Sequence, residues 1–176
     1  MAAWITIAAT ESSIERVRSL AVAGGLSETP VGPTSNLNQA MRLVAAAEVG
    51  GSVEGISGTD RAIMYLIAAW TGYRKGEISS LSKQSFELSA DPPTVTVDAL
   101  YSKHRRRDTQ VLHAELAQRL ELWLATKDLG PTDFLIPVAI RSGGFERKTA
   151  KMMRVDLAAA RAEWIKEVES DADQKK

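Results

Sequence analysis

Hydrophobic positions along the chain follow helical spacing, then strand alternation, then helical spacing again. Ile14, Val17 and Ala21 recur at helical intervals behind Ser12 and Glu15, a capping-box pair, and Gly24 and Gly25 end that stretch. Ser27 to Ser35 holds Pro30, Gly32 and Pro33 and reads as a linker. A second helix is expected from Asn36, with Leu37, Val44 and Ala47 inward, stopping at Gly50-Gly51. A glycine-rich loop then runs to Gly58. A third helix opens at Thr59 or Asp60 and carries Ile63, Leu66, Ile67 and Trp70 on one face; Gly72 breaks it. A short helical turn is expected over Glu77 to Leu81.

The period then changes. Thr94 to Ala99 alternates like a half-buried strand after Pro92-Pro93. A polar turn covers Ser102 to Asp108, and Thr109 to Leu112 is the returning strand of a hairpin. Phe86 to Leu88 adds a third short strand. Leu116, Leu120, Trp123 and Leu124 restore the helical spacing, which Gly130-Pro131 closes; Phe134 to Pro137 is a short extended or turn segment. A last helix begins near Thr149 and passes Trp164, with Met153, Leu157, Ala160, Trp164 and Val168 on one stripe. Glu169 to Lys176 reads as a charged, frayed tail. The order predicts an α+β fold, mostly helical, with a small antiparallel sheet and a β-hairpin. It divides the chain into a leader (1–33), a main domain (34–169) and a tail (170–176).

Composition narrows the function classes. The 176 residues suit one domain, and 44% hydrophobic with 25% charged is ordinary globular usage. No apolar run reaches the roughly 20 residues of a membrane helix. The N-terminus has no basic residue ahead of its apolar stretch, so a cytoplasmic location is expected. With no Cys and only His104 and His113, neither a disulfide nor a His-rich zinc site is expected. Twenty-two cations balance 22 anions, so any nucleic-acid surface must be a local patch.

Two places carry candidate chemistry. In Thr71-Gly72-Tyr73-Arg74-Lys75-Gly76-Glu77 the glycines let the backbone turn tightly and bring Arg74 to a cleft. An Arg fork donates two parallel hydrogen bonds to a phosphate and keeps its charge, and Glu77 is placed to orient it. The same residues also fit a plain helix C-cap with a surface Arg. At the expected hairpin tip, Lys103, Arg105, Arg106 and Arg107 put four cations into five positions around His104. Such a tip suits a phosphate backbone, or a solvated turn that guards sheet edges.

Together these two places resemble the catalytic domain of the tyrosine recombinase (phage integrase) family. The family's first box reads Thr-Gly-x-Arg-x-x-Glu-x-x-x-Leu, matched here by Thr71 to Glu77 with Leu81 in register. The family's hairpin lysine follows a strand, as Lys103 follows Thr94 to Leu100. Asp60-Arg61-Ala62, Lys148-Thr149-Ala150 and Asp156 to Arg161 are also similar, and the resemblance spans Asn36 to Glu169. It implies metal-free and cofactor-free DNA breakage and rejoining through a phosphotyrosine. Arg74 would clamp the phosphate, Lys103 would protonate the leaving oxygen, and Glu77 would buttress the Arg74 loop. Lys75, Arg105, Arg106 and Arg107 would contact DNA. Double-stranded DNA and other recombinase subunits are the implied partners.

The departures shape the expectation. The family's His-x-x-Arg box and its nucleophilic Tyr belong after the last helix. Here Tyr65, Tyr73 and Tyr101 all precede the hairpin tip, and His104 to Arg107 spells the box only within the basic turn. The chain therefore reads as the N-terminal half of an integrase catalytic domain, truncated at both ends, binding DNA but unable to cleave it alone. Residues 1–33 are too few for the family's separate core-binding domain and read as a leader or a remnant of it. Trp164 and the Met152-Met153 pair are candidates for an apolar face left uncovered. The alternatives are a small α+β interaction module that docks a protein through Trp164, or a degenerate integrase remnant.

Overall fold

The computed structural model describes residues 36–139 and 147–174. The expected leader helix and the linker before Asn36 lie outside the described residues. Helix α1 spans Asn36–Val49, α2 Gly58–Thr71, α3 Lys75–Ser79, α4 Ala114–Ala125 and α5 Thr149–Gln174. A 3-10 turn over Lys83–Ser85 leads into a three-stranded antiparallel sheet in the order β1 (Phe86–Glu87), β2 (Thr94–Val97), β3 (Asp108–Val111). The fold is α+β and mostly helical, as the periodicity implied.

Local chemistry explains the boundaries. Ser57 Oγ accepts the Asp60 N–H, so α2 starts at Gly58, one or two residues before the expected site. Gly58 is also where α2 meets the end of α1. A Cβ there would stand 2.2 Å from the Gly50 carbonyl oxygen, so only glycine fits. Gly72 ends α2 in the left-handed region at φ 68°, its N–H donating to the Ala68 carbonyl. In the hairpin, Val97 pairs with Asp108 and the ladder stops there. Asp98 ends it, because its Oδ1 accepts the Leu100 N–H while its carbonyl accepts the N–H groups of Tyr101 and Ser102. The strand is thus two residues shorter than its alternation suggested.

The core joins Val44 and Ala47 of α1, α2, α4 and the inner face of β2 to Leu112, just after β3, and to the segment around Leu135, Ile136 and Val138. Helix α1 packs against both α2 and α5. Helix α5 departs from the sequence reading in two ways. It stays helical through Gln174, across the expected frayed tail. Its buried face is Met152, Asp156 and Ala160, whereas Met153, Leu157, Trp164 and Val168 are exposed. Of the expected stripe only Ala160 is buried; of the residues expected on an uncovered face, Trp164 and Met153 are exposed but Met152 is fully buried. The physical reason is Asp156, which must face a fully buried arginine on α2.

That arginine is Arg61. Its Nε and Nη2 donate to the two carboxylate oxygens of Asp156 at 2.8 and 2.7 Å. Its Nη1 donates to the carbonyls of Gly51 and Ile56 at 2.8 and 3.0 Å, which closes the glycine-rich loop around it. The Tyr65 hydroxyl adds a third donor to Asp156 at 2.8 Å. Every polar atom of the group is matched, the condition under which a buried ion pair is tolerated. The Asp156 carboxylate raises the pKa of Arg61 still further.

Candidate nucleic-acid interface

The Arg74 loop forms because α2 ends at Gly72 and α3 begins at Lys75, which leaves two residues to reverse the chain. Thr71 Oγ1 accepts the Tyr73 N–H at 3.1 Å and donates to the Ile67 carbonyl, tightening the turn. Glu77 closes it from the other side. Its Oε2 accepts the Arg74 N–H at 2.7 Å, the carboxylate half of a capping box. Its Oε1 accepts the Lys103 N–H at 3.2 Å, across 26 residues of chain. One buried carboxylate thus anchors the backbone of both the Arg74 loop and the hairpin tip.

Tyr73 makes a second tie. Its buried hydroxyl lies 3.2 Å from the Val95 carbonyl and 3.1 Å from the Asp108 carbonyl, sharing its proton between the two hairpin strands. Burial pushes the Tyr73 phenol well above its ordinary pKa, with Asp108 and Glu77 adding to the effect. Burial and the Asp156 hydrogen bond do the same to Tyr65. Both phenols are spent as neutral donors. Tyr101 is exposed and meets the Phe134 ring edge-on at 6.0 Å.

The cations face outward from this scaffold. The Arg74 side chain is 58% exposed, with Nη1 at 3.7 Å from Glu77 Oε1. Lys103, Arg105, Arg106 and Arg107 are exposed, and Arg105 takes a positive φ of 50° at the apex of the turn. Lys75 is half-buried and its Nζ donates to the Arg147 carbonyl at 3.3 Å. The result is a fixed backbone carrying solvated guanidinium and ammonium groups, an arrangement suited to a polyanion. Among the described residues no cluster of His, Asp and Glu is placed to hold a metal ion. Among the described residues no helix is long and apolar enough to cross a membrane.

Sequence reasoning gave Glu77 to Arg74 but not to Lys103, and gave Tyr73 no role. It also passed over the Arg61–Asp156–Tyr65 group. One signal was present: Arg61 is charged in a run, Arg61 to Tyr65, that is otherwise apolar or aromatic. A buried arginine requires an acid, and Asp156 interrupts the apolar spacing of α5. A third polar group is Asp60, whose Oδ1 accepts from Trp123 Nε1 at 2.8 Å and pairs with Lys127. No family model, curated protein or solved structure matches this chain.

Proposed function

We propose that this chain binds duplex DNA as part of a tyrosine-recombinase-type catalytic domain. Arg74 clamps a phosphate, Lys103 stands where a leaving oxygen would take its proton, and Arg105, Arg106 and Arg107 follow the backbone. The observation that carries this reading is the Glu77 carboxylate, which holds the Arg74 and Lys103 backbones together at 2.7 and 3.2 Å. In the family that the motif resembles, those two side chains serve one phosphate. Strand cleavage by this chain alone is not part of the reading: Tyr65 and Tyr73 are buried and already hydrogen-bonded, and the exposed Tyr101 precedes the hairpin tip, away from the family's nucleophile position.

The test is fluorescence anisotropy with a labelled DNA duplex over a salt series. Affinity should fall steeply with salt, because each phosphate contact releases a counterion. Arg105→Ala with Arg106→Ala should weaken binding to all sequences alike. Binding that ignores salt, or no binding, overturns the proposal. A covalent protein–DNA adduct would overturn the restriction to binding. A second reading, a module that docks a protein through α5, is favoured by the exposed Met153, Leu157, Trp164 and Val168. It expects no salt-dependent affinity for DNA.

A further inference from the structure

We infer that the Tyr73 hydroxyl is a positioning group for DNA binding: it fixes the far end of the cationic hairpin tip against the Arg74 loop, so that Arg74 and Arg107 are held ready for one DNA strand. This rests on the DNA-binding reading above. The tip segment Lys103 to Arg107 carries four cations, all exposed. The strand ladder stops at the Val97–Asp108 pair, so the pairing of β2 with β3 does not hold the tip itself. The Arg74 loop grips it at both ends. At the near end the Lys103 N–H donates to Glu77 Oε1 at 3.2 Å. At the far end Asp108, the residue directly after Arg107, accepts the Tyr73 hydroxyl at its carbonyl, 3.1 Å away. Tyr73 directly precedes Arg74. The two bonds therefore bracket the cations, and they come from residues on either side of Arg74.

The far bond depends on the hydroxyl and not on the ring. The Tyr73 ring belongs to the core, at 6% exposure, a place that a phenylalanine ring would fill as well. A buried hydroxyl is unfavourable unless it is hydrogen-bonded. This one has a single proton, which it shares between the Asp108 carbonyl and the Val95 carbonyl of the central strand, 3.2 Å away. Burial raises the phenol's pKa, so the group stays a donor. The hydroxyl thus sets where Asp108, and with it Arg107, stands relative to Arg74. A tip whose backbone is fixed before DNA arrives has less freedom to lose on binding.

The experiment compares the full chain with Tyr73→Phe, by anisotropy of a labelled random-sequence duplex. Tyr65→Phe is the matched control: it removes the hydroxyl of a tyrosine at 7% exposure that bonds Asp156 instead of the hairpin. Thermal melts fix an assay temperature at which every variant is folded. Tyr73→Phe should weaken DNA binding by about two- to tenfold, the cost of ordering on binding what the hydroxyl had already fixed. Tyr65→Phe should leave the affinity unchanged. In an Arg107→Gln background Tyr73→Phe should have little further effect, because the guanidinium it positions is gone. Unchanged affinity in Tyr73→Phe overturns this inference while the DNA reading stands. An equal loss in Tyr65→Phe also overturns it, since a general loosening of the fold would then explain the effect. So does a full loss that persists without Arg107. A wild-type chain that binds no duplex overturns the DNA reading and this inference together.

Discussion

At the scale of single residues, the Arg61–Asp156 pair dominates. Arg61 has no exposed surface, and its five N–H groups need fixed acceptors. Asp156→Asn would leave a buried guanidinium uncompensated, a change that costs about 3–5 kcal/mol. Urea unfolding should show that loss as a lower midpoint. Glu163→Gln breaks an ion pair that is more than half exposed and should leave the midpoint unchanged. A third pair, Glu54 with Lys151, gives a pH signature. The hydrogen bond from Lys151 holds the Glu54 carboxyl below its ordinary value of 4.5. A lowered pKa in the folded state adds stability that is present above the unfolded pKa and disappears as pH falls through the folded one. The stability gap between wild type and Lys151→Gln should therefore be open at neutral pH and close as the pH drops below 4.5.

At the scale of elements, the Arg74 loop and the hairpin form one unit because Glu77 and Tyr73 each bond to both. Glu77→Ala removes the acceptor of two backbone N–H groups and should destabilise the fold by about 1–3 kcal/mol. Hydrogen exchange supplies the sharper check: the Arg74 and Lys103 amides should speed up together, although 29 positions separate them in sequence. If only Arg74 responds, the tie to the hairpin is absent. Tyr73→Phe should cost about 1 kcal/mol and loosen β2 against β3, with α4 unaffected. This coupling was only half legible in the sequence. The Arg74–Glu77 spacing is local, and a capping box can be read from neighbouring letters. The second half depends on where the hairpin folds back, which no short window of sequence specifies.

At the scale of the whole molecule, α5 shows how tertiary contacts override a sequence pattern. Its apolar residues at Met153, Leu157, Ala160, Trp164 and Val168 describe one stripe suited to a core, yet of these only Ala160 is buried. The helix is instead rotated so that Met152, Asp156 and Ala160 face α1 and α2. Met152→Ala should therefore cost about 2–5 kcal/mol, as for a buried methionine. Trp164→Gln, at an exposed position, should change stability by less than about 1 kcal/mol. Thermal melts of the two variants test the rotation directly, and a reversed order would contradict it.

Over the described residues, the sequence by itself determined the element types, most of their boundaries to within about two residues, and the two cationic segments. These depend on period, capping residues and turn residues, which act over a few positions. Tertiary structure decided which face of α5 is buried, which partner Arg61 takes, and that Glu77 spans two segments. Those outcomes require residues 26 to 95 positions apart to meet. The physical reason is the cost of burying charge. A buried guanidinium or carboxylate needs a matching group across the core, and that requirement outweighs the preference of an apolar stripe for the interior.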